Sequence, residues 1–140
     1  MPNINFSYFI NQELTTIENG TPFPLRFTFT DGGMCVECSW RIRRKGRIMV
    51  GHHDFHHARS RKEALQQLKD LLVAQRIKGV SLHEEFDLLC VQFSNDCVLE
   101  VFQDSYCFEG WELFGANDFS VIGLPGGGYE AYRGEHLCED

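Results

Sequence analysis

The feature that most constrains the fold of this chain is an alternation of apolar and polar residues with a period of two, broken by short turns. Residues 24–30 alternate, Asp31-Gly32-Gly33 forms a turn signal, and residues 34–43 alternate again. A period of two places successive side chains on opposite faces of a strand, so this stretch predicts a β-hairpin. Lys45-Gly46 predicts a second turn, which leads into a third strand over residues 47–50.

The second half of the chain repeats this pattern. Residues 88–93 and 97–102 flank Ser94-Asn95-Asp96 and predict another hairpin. Three further strands are predicted over residues 111–114, residues 119–122 and, as a last edge strand after the glycine-rich turn, residues 129–133.

One helix interrupts the strands. Ser60 and Glu63 have the spacing of a capping box, in which each side chain accepts from the other residue's backbone N–H. Lys78-Gly79 has the composition of a helix end, so the predicted helix covers residues 60–78. An apolar stripe follows the cap at helical spacing, and its members Leu65, Leu68 and Leu72 are expected to pack on a sheet; the full stripe is Ala64, Leu65, Leu68, Leu71 and Leu72.

These elements predict an α+β protein: a mostly antiparallel β-sheet in two hairpin-based halves, with one amphipathic helix packed on it. A chain of 140 residues is expected to form a single domain over residues 1–140. We divide it into a lead-in segment (1–23), a first β half (24–50), the helix (60–78) and a second β half (80–133). The first 14 residues contain no Lys or Arg, and no uninterrupted apolar run is present. A cytoplasmic protein without a membrane span is therefore expected.

The cysteines are predicted to be free thiols, because their spacing is irregular and no export signal accompanies them. The six are Cys35, Cys38, Cys90, Cys97, Cys107 and Cys138. Cys35 and Cys38 form a CxxC pair, which can be a redox centre or half of a zinc site. Within the alternating segment they would face opposite sides of one strand, with Cys38 in the core and Cys35 outside beside Glu37 and Arg41. No bound metal or other cofactor is expected.

The net charge of −7 is distributed unevenly. Residues 41–78 hold eleven of the thirteen Lys and Arg residues and three acids, whereas residues 79–140 hold thirteen acids and one Arg. Such asymmetry can bring a nucleic acid to the basic half or a cationic protein to the acidic half. It is also compatible with solvated faces that partly neutralise each other.

Four histidines, His52, His53, His56 and His57, lie within the segment GHHDFHH. They form two pairs at i,i+4, a spacing that converges on one metal ion only in a helix. The segment is predicted to be a loop of about nine residues without helical geometry. Three interpretations remain open: a metal site with Asp54 as a third ligand, a loop that contacts a partner, and a solvated loop.

Catalysis is not expected, because the chain contains no GxSxG elbow, P-loop, HExxH or GxGxxG motif. The run Gly126-Gly127-Gly128 follows Pro125 and precedes a predicted strand rather than a helix, so it offers no helix N-terminus to a phosphate. A turn is the expected role of this run. We therefore predict a protein without catalytic residues.

Four segments carry a resemblance to a known group of proteins: Phe29-Thr30-Asp31-Gly32, Phe93-Ser94-Asn95-Asp96, Leu99-Glu100-Val101 and the stretch of residues 108–115. Together they resemble small bacterial immunity proteins encoded beside polymorphic or contact-dependent growth inhibition toxins. The resemblance covers residues 24–128, except residues 44–63, and rests on hairpin and tryptophan-strand patterns. It implies a non-enzymatic protein that binds and neutralises a cognate toxin domain.

The acidic half supplies candidate toxin-binding residues, since nuclease toxins tend to carry basic clefts that an acidic partner can occupy. These are Glu84, Glu85 and Asp87 before one strand and Asp104, Glu109 and Glu112 near Trp111, with the histidines as further candidates. Trp111 itself is expected in the core. The alternative is a metal- or nucleic-acid-binding accessory module centred on residues 41–62, where phosphates would contact Arg41, Arg43, Arg44, Lys45 and Arg47. The net acidity and the lack of an aromatic stacking platform in that segment make nucleic-acid binding the weaker hypothesis.

Overall fold

The structure, a computed structural model, describes residues 4–20, 25–133 and 136–137. Strands dominate it, and two 3₁₀ turns lie at Ser7–Phe9 and Glu84–Phe86. In chain order the helices and strands are β1 (Leu14–Glu18), β2 (Leu25–Phe29), β3 (Gly32–Val36), β4 (Ser39–Arg44), β5 (Arg47–Gly51), α1 (His52–His56), α2 (Arg61–Leu72), β6 (Ile77–His83), β7 (Leu88–Phe93), β8 (Cys97–Phe102), β9 (Trp111–Gly115), β10 (Phe119–Gly123), β11 (Tyr129–Arg133) and β12 (His136–Leu137).

The strands form two antiparallel sheets. The larger has the order β1-β2-β3-β9-β10-β11-β12, and the smaller has the order β5-β4-β8-β7-β6. The predicted hairpins β2–β3 and β7–β8 are both present, as are the strands predicted after them. The α+β class, with mostly antiparallel sheets and one main helix, is confirmed. The last predicted strand, β11, lies beside the short β12 rather than at the sheet edge.

The two sheets do not correspond to the two halves of the sequence. The strand predicted over residues 34–43 is two strands, because β3 pairs with β9 in the larger sheet and β4 pairs with β8 in the smaller. The break falls at Glu37 and Cys38, whose backbone N–H groups both donate to the carbonyl of Gly110, at 2.8 and 3.1 Å. Each half of the chain therefore contributes strands to both sheets.

One hydrophobic core joins both sheets and both helices. The residues predicted to face inward from 34–42 are buried, and so is Trp111, which is 4% exposed. The prediction for Cys35 was wrong: the residue is only 6% exposed. Its strand is flanked on both sides within the larger sheet, and Arg26 and Glu112 are its partners in register. Neighbouring long side chains thus cover a position that the alternation had assigned to solvent.

Helix α2 is shorter than predicted, since it ends at Leu72 and Lys78-Gly79 lie in β6. The chain turns at Ala74, which adopts a φ of 73° and donates its N–H to the carbonyl of Leu14 at 2.8 Å. Leu68 and Leu72 are fully buried and Leu65 partly, so the predicted packing of the helix is confirmed. None of the helices in the described ranges is long and apolar enough to cross a membrane.

Strand β1 is an element that the sequence pattern did not reveal. It lies in the predicted lead-in segment, and it pairs with β2 through Ile17 opposite Phe27. Its buried positions, Leu14 and Ile17, are separated by a register shift between Leu14 and Thr16. A strand with such an irregularity loses the strict alternation by which strands are recognised.

Candidate functional site

Three loops meet at the end of the molecule where β8 finishes and β4 and β7 begin. Phe102, the last residue of β8, pairs with Ser39 on one side and Leu88 on the other. The loops that leave this end are residues 84–87, 103–110 and 124–128. We call them together the acidic loop surface. It presents the sequence-predicted acids Glu84, Glu85, Asp87, Asp104 and Glu109.

Side-chain hydrogen bonds hold the loop 103–110 in one conformation. The Gln103 Nε2 donates to the carbonyls of Phe108 at 3.0 Å and Leu124 at 2.8 Å, and its Oε1 accepts the Ser105 N–H at 3.0 Å. The Ser105 Oγ in turn accepts from the N–H groups of Cys107 and Phe108, at 3.1 and 3.0 Å. Because the backbone is bonded at both ends and in its middle, the loop can present its remaining side chains in a fixed arrangement.

The other two loops are attached to it. Asp87 adopts a left-handed conformation with a φ of 51°, and its carbonyl accepts the Gln103 N–H at 3.3 Å. Its carboxylate accepts the Gly128 N–H at 2.6 Å. The Gly126 N–H donates to the carbonyl of Ser105 at 2.9 Å. Asp87 is therefore a structural link within the surface rather than a free acid.

Three aromatic residues project from these loops into solvent: Phe86 is 72% exposed, Tyr106 is 88% exposed and Phe108 is 73% exposed. Sequence reasoning missed them. A usable signal was present, because Tyr106 and Phe108 lie in a polar segment between two strands, outside any alternating pattern. Large aromatic side chains on a fixed loop, flanked by charge, are typical of protein-binding surfaces.

The acids predicted from the sequence do not all lie on the acidic loop surface. Glu84, Glu85, Asp104 and Glu109 are exposed on the acidic loop surface. The Asp104 carboxylate accepts a hydrogen bond from the Ser39 hydroxyl. Glu112 lies on β9 rather than on one of the three loops, and it accepts a hydrogen bond from the Ser120 hydroxyl at 3.0 Å. Glu37, which the sequence analysis did not select, lines a depression of about 660 Å³ together with Asp104, Phe108 and Glu109.

The histidine segment is helical, which corrects the prediction of a loop without helical geometry. Gly51 is extended before the helix, and its N–H donates to the Asp54 carboxylate at 2.9 Å. Phe55 is buried with its ring centroid 6.1 Å from that of Trp40, so the single turn is fastened to the core. The capping box predicted at Ser60 does not form, because the Ser60 hydroxyl donates to the carbonyl of Asp54 at 2.6 Å instead.

The helix brings His52 and His56 together with ring centroids 4.1 Å apart, whereas those of His53 and His57 are 6.0 Å apart. The Nδ1 of His52 is buried without a hydrogen-bond partner. Burial lowers the pKa of His52, and the neighbouring His56 lowers that pKa further, whereas Asp104 raises it. Burial and the Arg61 charge also lower the pKa of His56. Gly51, the residue before α1, pairs with Arg41 of β4, and Ser39 at the start of the same strand donates to Asp104, so α1 begins close to the acidic loop surface.

The residues of the alternative metal- or nucleic-acid-binding function lie on β4, β5, α1 and the start of α2, and in the turns that join them. Within the described ranges, no group of three or more His, Cys, Asp and Glu residues is arranged to hold a metal ion. Arg41 Nε lies 2.6 Å and Arg43 Nε 3.9 Å from the same Glu100 carboxylate oxygen. Two of the five proposed phosphate contacts are therefore partly neutralised within the protein.

The cysteines that the structure describes are all free thiols; Cys138 lies outside these residues. Burial raises the pKa values of Cys35, Cys90 and Cys97, and it raises the pKa of Cys38 to about 12. A thiol that stays protonated is a poor nucleophile and a poor redox centre. The CxxC pair therefore acts as part of the core.

The arrangement is suited to recognition of another protein, because it presents rigid exposed aromatics and carboxylates on a surface rather than reactive groups in a closed cleft. Comparison of the chain with protein-family models, curated proteins and solved structures finds no match.

Proposed function

We propose that this protein is a non-enzymatic immunity protein, which binds and neutralises a cognate bacterial toxin domain through the acidic loop surface. The observation that carries the proposal is the exposure of Tyr106 and Phe108 on a loop fixed by Gln103 and Ser105. Aromatic residues dominate the binding energy of many protein interfaces, and a loop that is already ordered loses little entropy when it binds.

The charges around these aromatics indicate the kind of partner. Asp104 and Glu109 lie on the same loop, Glu37 borders the same depression, and the segment of residues 79–132 contains no Lys or Arg. A surface of one sign accelerates association with a partner of the opposite sign. The toxin domain is therefore expected to present a basic surface, as an enzyme that acts on nucleic acid does.

The test is growth rescue and co-purification with the polypeptide encoded directly upstream, expressed as its C-terminal domain. The wild-type protein should restore growth and co-elute with that domain at equal stoichiometry. The double variant Tyr106→Ala/Phe108→Ala should lose both properties. Ile48→Ala is the matched control, because Ile48 is 61% exposed but lies on β5 toward the opposite end of the sheet, near the turn that joins β4 to β5.

Two results would contradict the proposal. The first is a wild-type protein that neither rescues growth nor binds the upstream polypeptide. The second is a double variant that rescues growth as well as Ile48→Ala does, which would show that binding uses another surface. Folding of each variant is checked by its unfolding midpoint, which exposed substitutions of this kind shift little.

A further inference from the structure

A small groove opens beside the acidic loop surface, between β6, β11 and the N-terminal segment. Apolar and aromatic side chains border it, namely those of Ile4, Phe6, Val80, Leu82 and Tyr129, although most of the surface exposed inside it is polar. Ser81 and Glu84, the first residue of the 3₁₀ turn Glu84–Phe86, also line it. The groove therefore combines apolar side chains with exposed polar atoms, among them the carboxylate of Glu84.

The carboxylate of Glu84 is available to a ligand. Glu84 is exposed, and no hydrogen bond or salt bridge of its side chain is formed within the described residues. Its nearest neighbours in the chain are His83 and the acid Glu85, and Asp87 follows. Because no Lys or Arg occurs between residues 79 and 132, this region attracts cations.

The size of the groove favours a single side chain as its occupant. Its volume is about 280 Å³, which is below the range of about 300–1,000 Å³ that is common for small-molecule sites. A long aliphatic stem can lie along apolar walls while its charged end reaches a carboxylate. An arginine suits this groove better than a lysine, because a guanidinium is weakly hydrated and stacks on rings such as those of Phe6 and Tyr129.

We propose that this groove binds an arginine side chain of the partner, with the aliphatic stem against Val80 and Leu82 and the guanidinium at the Glu84 carboxylate. This inference rests on the proposed function, because the arginine belongs to the toxin domain. The groove adds a second contact with the toxin domain, besides the contact made by the exposed aromatics. The 3₁₀ turn connects the groove to these aromatics, since Glu84 lines the groove and the carbonyl of Asp87 accepts the N–H of Gln103, at the start of their loop, at 3.3 Å.

The test uses Nα-acetyl-arginine amide as the probe and NMR chemical shifts of the backbone amides as the readout. The probe should shift the amides of Val80, Ser81, Leu82 and Glu84 and saturate with a Kd of roughly 1 mM, as expected for a ligand of this size. Nα-acetyl-citrulline amide, which has nearly the same shape without the charge, should bind at least fivefold more weakly. Glu84→Gln should weaken arginine binding by a similar factor, whereas the control Glu85→Gln should not.

Equal binding of both probes, shifts at other residues, or no shift at 20-fold the expected Kd, which is roughly 20 mM, would overturn the inference. A second arm uses the toxin domain itself. If Glu84→Gln weakens toxin binding at least fivefold more than Glu85→Gln does, the arginine comes from the partner; equal effects of the two variants would overturn that assignment. If the wild-type protein binds the arginine probe but not the toxin domain, the proposed function is overturned and the groove is a site for free cations.

Discussion

The Asp87 carboxylate accepts the backbone N–H of Gly128 at 2.6 Å, although the two residues are 41 positions apart. This bond joins the turn before β7 to the loop between β10 and β11, and so it connects the two sheets at one end of the molecule. A Cβ at the neighbouring Gly127 would approach the same carboxylate to 2.9 Å. The close fit accounts for the glycine at position 127, and the left-handed φ angles of 77° at Gly126 and 83° at Gly128 account for the other two.

Asp87→Ala should lower the free energy of unfolding by about 1–2 kcal/mol. The substitution removes the hydrogen bond to Gly128 and places an alanine at a left-handed φ, which costs roughly 1 kcal/mol by itself. Asp87→Asn is the matched control, because asparagine tolerates this conformation and keeps an oxygen acceptor. Urea denaturation measures both variants. Equal losses of unfolding free energy in the two variants would show that neither the backbone conformation nor the oxygen acceptor at position 87 affects stability.

Removal of two charges from the acidic loop surface should slow the association with the toxin domain. The variant Glu37→Gln/Glu109→Gln is expected to reduce the association rate constant about threefold to tenfold at low salt, with little change in dissociation. Glu18→Gln/Glu63→Gln changes the net charge equally at exposed positions on β1 and α2. Surface plasmon resonance at two salt concentrations measures the association rate constants of both double variants. The expectation fails if both double variants associate at the same rate.

Acidification should destabilise the protein through His52. Because burial lowers the pKa of His52 in the folded state, the unfolded chain takes up a proton at a pH where the folded protein does not. Stability is therefore greatest above the ordinary histidine pKa of about 6.5 and decreases as the pH falls below it, until the folded imidazole also titrates. His56 and His53 oppose protonation of His52, and Asp104 favours it.

The measurement is urea unfolding at several pH values between 7.5 and 5. His52→Gln should reduce the dependence of stability on pH over this range. His57→Gln, at an exposed position directly after the same helix, leaves in place His52 and the groups that shift its pKa, so it should keep the steeper dependence. Identical slopes for the wild type and His52→Gln would show that another group carries the effect.

Phe55→Ala should cost about 3–4 kcal/mol, because it removes a buried ring that packs against Trp40 and fastens α1 to the core. Phe86→Ala deletes the same side chain from an exposed position and should change stability by about 0.5 kcal/mol or less. Denaturant unfolding of both variants provides the comparison. Similar small effects would mean that the histidine segment does not pack as a helix on the core.

The sequence predicted those elements whose pattern is local. Hairpins β2–β3 and β7–β8 have regular alternation on both sides of a turn, so their strands could be assigned without the fold. The end of α2 could not be predicted in this way, because the helix stops where Ala74 bonds to Leu14, which lies in a strand 60 residues earlier. The helix at GHHDFHH was missed for a related reason: one turn is too short to show a period, and it depends on Phe55 reaching Trp40.

The candidate site shows the same division. From the sequence came the acids of residues 84–109 and the charge asymmetry that indicates a basic partner. Local pattern could not show that Glu112 is bonded to Ser120, that Asp87 is bonded to Gly128, or that Tyr106 and Phe108 are exposed on a fixed loop. Alternation and composition indicate which residues are exposed to solvent. Which loops meet is decided by strand pairing between distant segments. This pairing places the first residues of β4 and β7 beside the last residue of β8.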